Sequence, residues 1–164
     1  MTRVLITGMS GTGKTTLLDE LSARGYPTVD TDYGDYYELV DGERLWRTER
    51  IEALLRATPA DSGQVLFVQG TTRNQGAFYP WFEHIVLLSA PIAVLIERLT
   101  TRTANPYGKD PTELAETLQY VQTVEPLLRS GATLEVVTTV AVSQVADTVL
   151  AHVMPQQSAK HPAR

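Results

Sequence analysis

A three-layer α/β/α fold around a five-stranded parallel sheet is the architecture the sequence predicts, on three observations. Short runs rich in β-branched residues and leucine alternate with segments whose apolar residues recur at three- and four-residue spacing. The strand-like runs are apolar almost throughout, the pattern of strands covered on both faces by helices reached through right-handed crossovers. The first of them passes into its helix through a glycine-rich turn between Gly8 and Gly13.

Taken in order, Arg3 to Thr7 reads as the first strand and Lys14 to Arg24 as the first helix, with Leu17, Leu18 and Leu21 on its inner face and Gly25 behind it. Pro27 to Val29 is the second strand. Two helices follow, Tyr33 to Val40 and Glu43 to Ala57, forming a helical lobe at about 33–60. Gln64 to Gln69 and Ile85 to Leu88 are the third and fourth strands, and Ile92 to Arg102 is a helix. The turn-forming stretch at about 103–110 is a short lid. Asp110-Pro111-Thr112-Glu113 supplies an N-cap aspartate, proline at the first helical position and a glutamate three residues on. It starts a helix running to Ser130, which Pro126 should kink or divide. Thr133 to Thr138 closes the sheet and Ser143 to Val153 is the last helix. The expectation is one domain over 1–154, with a loose tail at 155–164.

The chain has 164 residues, 43% of them hydrophobic and 20% charged, with a formal net charge of −5. That acidic balance argues against a general nucleic-acid binder, so any anion site has to be built locally. With no cysteine there is no disulfide, thiolate metal site or cysteine nucleophile, which suits a reducing cytoplasm. Val4 to Ile6 is too short for a signal peptide core. Ile85 to Ile96, interrupted by Ser89 and Pro91, is too short to span a bilayer. A cytoplasmic protein, with neither a membrane nor a nucleic acid as partner, is expected.

Gly8-x4-Gly13-Lys14-Thr15 follows a strand and opens a helix, the context that makes this spacing a phosphate-binding loop. Gly8, Ser10, Gly11, Thr12 and Gly13 would turn successive N–H groups toward phosphate oxygens, helped by the positive end of the helix. Lys14 would reach the β- and γ-phosphates, Thr15 would hold Mg²⁺ through its hydroxyl, and Thr16 completes the nucleotide-contacting run. ATP and Mg²⁺ are the expected cofactors.

In an open α/β sheet ligands gather at the carboxyl ends of the strands. The third strand, Val65-Leu66-Phe67-Val68-Gln69, ends in glutamine where motor-like ATPases place an acid, and no Asn-Lys-x-Asp guanine-reading motif occurs. The acids follow the second strand, in Val29-Asp30-Thr31-Asp32. Carboxylates there can bind Mg²⁺ or its waters, or orient and deprotonate an acceptor hydroxyl; a turn or helix-cap role is the alternative.

GMSGTGKT, the Asp30/Asp32 pair and Gly42-Glu43-Arg44-Leu45-Trp46-Arg47-Thr48-Glu49 resemble the shikimate-kinase-like branch of the small P-loop kinases, within the adenylate-kinase-like group of P-loop NTPases. Gly70, and Leu88-Ser89-Ala90-Pro91 through Leu95-Ile96-Glu97-Arg98-Leu99, extend the likeness over nearly the whole chain. The resemblance implies a three-layer P-loop fold with an acceptor lobe and a lid. It implies that Asp30 helps hold the metal, Asp32 contacts the acceptor hydroxyl, Arg47 binds an anionic acceptor group and Arg102 acts from the lid. Two departures stand out. The family's glycine triplet is replaced by Gly70-Thr71-Thr72-Arg73, whose Arg73 is similar to an arginine of nucleotide monophosphate kinases. Its Arg-x-Pro-Leu-Tyr has no equivalent in Val124-Glu125-Pro126-Leu127-Leu128, which argues against shikimate itself.

The expected activity is transfer of the γ-phosphoryl group of Mg-ATP to a small-molecule hydroxyl or phosphate, with Lys14, Asp32 and Arg102 as catalytic residues. Asp32, Arg47, Gly70 and Arg73 face the acceptor and Arg98 joins the nucleotide contacts. Arg98 and Arg102, four apart, share a helical face, although basic residues at a helix end also answer its dipole. Arg44, Arg47 and Arg50 form a cationic stripe or a solvated face, and Thr138-Thr139-Val140 edges the adenine. A nucleoside or nucleotide kinase and a non-kinase nucleotide-binding regulator or NTPase are the alternatives. A monomer or homodimer is expected.

Overall fold

The structure is a computed structural model that describes residues 2–57, 63–103 and 105–154. Its centre is a parallel sheet of five strands: β1 (Thr2–Thr7), β2 (Thr28–Asp30), β5 (Val65–Gln69), β6 (His84–Ser89) and β7 (Leu134–Val137). They lie in the order β2-β5-β1-β6-β7, with Ile6 opposite Gln69 on one side of β1 and Val86 on the other.

Alternation along β1 explains the layers. Val4 and Ile6 pack with Phe67, Val86 and Leu88 under α1 (Lys14–Ala23) and α6 (Val142–Val153), through Leu17, Leu21, Val145 and Val149. Leu5 points the other way, into a core with Val68 and Ile85 that is closed by Trp46, by Ile51 and Leu55 of α2 (Thr48–Arg56), and by Phe78 of a 3-10 helix, Gln75–Trp81. A strand covered on both faces is apolar almost throughout, and all five residues of β5 are buried, Val65 to Val68 apolar and Gln69 polar at its carboxyl end. Among the described residues no helix is long and apolar enough to cross a membrane. The tail expected at 155–164 lies outside the described residues.

The second half follows the expected order. Residues 102–103 and 105–109, after α3 (Ile92–Thr101), are irregular, and the Asp110 carboxylate accepts from the Thr112 N–H at 2.7 Å and caps α4 (Pro111–Thr123). The long helix expected to Ser130 is divided: α4 ends at Thr123 and α5 (Glu125–Gly131) begins with Pro126 in its first turn.

The lobe after β2 departs from expectation. Tyr33 to Val40 is not a helix, and the helix expected from Glu43 starts only at Thr48. An antiparallel hairpin, β3 (Tyr37–Val40) and β4 (Glu43–Trp46), occupies most of that stretch. The cause is the dipeptide Asp41-Gly42 at the turn, with φ of 51° and 77°; two consecutive left-handed residues make the tight turn that matches strand twist. Arg44 therefore stands on a strand, stacked over the Tyr37 ring at 3.9 Å, and shares no helical stripe with Arg47 and Arg50.

At the opposite end of the sheet, the His84 and His152 rings meet edge to face with centroids 5.0 Å apart. Burial, then the proximity of His152, pushes the His84 pKa down, while Glu83 opposes this. A base whose folded pKa lies below its unfolded value contributes full stability above pH about 6.5 and loses it as the pH falls toward the folded pKa. Urea midpoints at pH 7.5 and 5.5 should show the wild type losing more stability on acidification than His84→Asn.

Candidate active site

The turn after β1 is shaped by crowding. A Cβ at Gly8 would lie 2.5 Å from the Leu88 carbonyl oxygen and 2.9 Å from the Thr12 hydroxyl, so only glycine fits there. Thr71 braces the same residue from the end of β5, donating to the Gly8 carbonyl at 2.8 Å and accepting from its N–H at 3.2 Å. Thr12 donates to the Met9 carbonyl at 2.8 Å and closes the loop on itself. Gly13, at φ 98°, leads into α1.

This loop forms the wall of an open cleft of about 530 Å³, lined by Ser10, Gly11, Thr12, Gly13, Lys14, Thr15 and Thr16, with Asp32, Gln69, Arg98, Arg102, Asn105, Thr138 and Val140 around it. Half-buried Lys14 turns its ammonium back to donate to the carbonyls of Gly8 at 2.7 Å and Met9 at 3.1 Å. Desolvation lowers its pKa to about 8, with nearby Arg102 acting in the same direction and Asp32 and Asp30 against.

A triphosphate in the cleft would supply the negative charge that raises this pKa again. Binding above pH 8 should therefore take up a proton, and ATP affinity should fall as pH rises past about 8, approaching a factor of about ten per unit. Calorimetry in buffers of different ionisation enthalpy should show uptake rising toward about one proton between pH 7 and 9, and no such rise in Lys14→Ala.

The two aspartates are tied together. The Asp32 N–H donates to Asp30 Oδ1 at 3.0 Å, and the Gln69 side-chain amide donates both to Asp30 Oδ1 and, at 3.2 Å, to Asp32 Oδ2. The Tyr37 hydroxyl donates to Asp32 Oδ1 at 3.2 Å; burial, the largest influence on it, pushes its pKa up to about 12 and keeps it protonated. Behind them Thr31 donates to the Gln69 carbonyl at 2.8 Å and accepts from the Trp46 indole at 3.1 Å. The hairpin is thus linked to the carboxylates through Tyr37 and Trp46.

Thr15 and Asp32 line the cleft, whereas Asp30, bonded to Asp32 and Gln69, lies outside its lining; all three offer hard oxygen donors, the kind Mg²⁺ takes, and Gln69 Oε1 is a buried acceptor with no partner among the described residues. Among the described residues no cluster of three or more His, Cys, Asp or Glu can cage a metal.

The remaining expected residues divide. Arg98 donates to the Gly11 carbonyl at 3.1 Å, to the Thr138 hydroxyl at 3.0 Å and to the Thr138 carbonyl, pinning the loop to the end of β7. Arg102 donates to the carbonyls of Asn105 at 3.0 Å and Tyr107 at 2.6 Å and lines the cleft from the connection after α3. Gly70 is packed behind the site, where a Cβ would be 2.5 Å from the Thr31 hydroxyl and 2.6 Å from the Trp46 ring. Arg47 lies in a shallow groove with Tyr37, Glu38, Leu39 and Arg44, donating to the Tyr37 carbonyl at 2.9 Å and pairing with Asp35 at 3.5 Å. Arg73 is 80% exposed and paired with Glu43 at 2.7 Å, outside the cleft lining. Glu125 is buried and paired with Arg129 at 2.9 Å.

The residue with the most contacts to the carboxylates, Gln69, stood out in the sequence only as a missing acid. Tyr37 stood among several aromatic residues with nothing to single it out.

A family profile described as "AAA domain" matches residues 4–119. No curated protein matches the sequence. Among solved structures the chain is similar to the Acinetobacter baumannii shikimate kinase in complex with shikimate, at 16% identity over 96% of each chain with a TM-score of 0.64. It is similar to the Bacteroides thetaiotaomicron shikimate kinase at 18% identity over 91% of this chain and 96% of that one, TM-score 0.60. A gluconokinase from Sinorhizobium meliloti 1021 follows at 19% identity, covering 93% and 91%, TM-score 0.53. At these identities the likeness speaks for the fold, which matches over nearly the full length of each. The profile spans well over half of the chain, so this protein belongs to the AAA-domain family of P-loop proteins, with a fold similar to that of the two shikimate kinases.

Proposed function

We propose that the chain is an ATP-dependent phosphotransferase acting on a small-molecule hydroxyl or phosphate other than shikimate, in the cytoplasm. The observation that carries this reading is the cleft in which Lys14, Asp32 and Arg102 all line one space beside the glycine-rich loop.

Phosphoryl transfer needs positioning and charge stabilisation more than covalent chemistry. Loop N–H groups and Lys14 would hold the β- and γ-phosphates, and Thr138, Val140, Val142 and Val145 would flank the base. Bound through Thr15 and Asp30, Mg²⁺ would supply positive charge between the phosphates. Asp32, held by Tyr37 and Gln69, would take the acceptor hydroxyl's hydrogen bond and its proton. Arg102 would swing from the Asn105 and Tyr107 carbonyls onto the transferring group as the connection at 103–110 closes. Arg47, in the groove beyond Tyr37, would meet an anionic part of the acceptor. Gly70 leaves room for the Thr31 to Trp46 link, and Arg73 would reach the acceptor once its pair with Glu43 opens.

A panel of metabolites incubated with labelled ATP, alongside Lys14→Ala and Asp32→Ala, tests this. Labelled product that needs both residues supports it. Acceptor-independent hydrolysis as the sole activity, untouched in Asp32→Ala, contradicts it.

A further inference from the structure

We propose that Gln69 is the positioning residue of the metal site, standing in for a strand-end acid by clamping both carboxylates and accepting a hydrogen bond from a metal-bound water. The inference rests on the nucleotide-binding reading above. Gln69 ends β5, next to the central strand, and is only 1% exposed. Its side-chain amide spends its donors on Asp30 Oδ1 and Asp32 Oδ2. Its Oε1 is buried with no partner among the described residues, in a residue that lines the cleft.

A buried carboxamide oxygen left unpaired is costly, and the group that relieves it must donate a hydrogen bond. Lys14, which lines the same cleft, is a poor candidate, because its ammonium is bonded to Gly8 and Met9. A water in the shell of a divalent cation donates strongly, and Thr15 and Asp30 are the residues proposed above to hold that cation. The neutral side chain matters as well. An acid at 69 would put three carboxylates against a polyphosphate, whereas glutamine holds two in register while adding no charge.

The experiment is binding, without turnover. The affinity of wild type, Gln69→Leu and Gln69→Met for a non-hydrolysable ATP analogue is measured with Mg²⁺ and with EDTA, and Mn²⁺ affinity of the analogue complex is read by electron paramagnetic resonance. The expected result is a loss of about 10-fold or more in Mn²⁺ affinity and in the Mg²⁺ enhancement, with metal-free affinity within about threefold of wild type. In an Asp30→Asn background the same substitution should cost less than about threefold, because its effect runs through the carboxylates. Unchanged enhancement, or metal-free affinity falling by the same factor, overturns the proposal while leaving the nucleotide reading intact. Absence of Mg²⁺-dependent binding in the wild type overturns both. Should Gln69→Leu fold poorly, the unbranched Gln69→Met decides between these outcomes.

Discussion

Replacing Lys14 with alanine should weaken Mg-ATP binding by about 10²–10³-fold, the effect of removing one partner from a desolvated, hydrogen-bonded charge contact worth about 3–4 kcal/mol. Transfer should fall by at least as much, because in the proposed reaction the same ammonium would face the charge that develops on the leaving phosphate. The fold should tolerate the change. Among the described residues Lys14 bonds only to carbonyls of its own loop, at Gly8 and Met9, and its charge is disfavoured by desolvation. Its removal exchanges two hydrogen bonds for relief of that desolvation, so the melting temperature should stay within about 3 °C of wild type. Calorimetric titration with Mg-ATP, paired with a thermal melt, checks both halves. A variant that binds normally would remove Lys14 from the phosphate site.

Asp32→Asn should separate chemistry from binding. The carboxylate lines the cleft, held by Tyr37 and Gln69, and asparagine keeps its shape but cannot take a proton. Acceptor-dependent transfer should drop by about 10²–10⁴-fold, the range for a lost general base, with the apparent affinity for ATP within about threefold. Steady-state kinetics on whichever acceptor the panel identifies would show kcat falling and the KM for ATP nearly constant. A drop in ATP affinity with kcat preserved would instead make Asp32 a metal-site residue.

The parts of this molecule that were legible in the sequence are those governed by short-range rules. The loop from Gly8 to Thr15 is a fixed spacing in a fixed context, and it forms one wall of the cleft. Asp110-Pro111 marked a helix start that the structure shows with its cap bond in place. The apolar strands foretold a sheet covered on both sides. The hairpin was misread because Tyr33, Tyr36, Tyr37 and Val40 happen to repeat at helical spacing. The stronger signal was Asp41-Gly42, flanked by runs that alternate as strands do. Arg47 and Arg73 went to their places through long-range pairing, with Asp35 and Tyr37 in one case and Glu43 in the other. No local pattern encodes such partners. The same holds for Gln69, whose amide meets carboxylates 37 and 39 residues away in the chain.

The central claim is that the loop after β1 grips the phosphates of a nucleoside triphosphate with a divalent cation held beside it. Isothermal titration of the folded protein with ATP, in Mg²⁺ and then in EDTA, tests it most directly. Saturable one-to-one binding that weakens about tenfold or more without the metal is the predicted result. Flat titrations with both ATP and GTP in the presence of Mg²⁺, on protein shown to be folded, would contradict it.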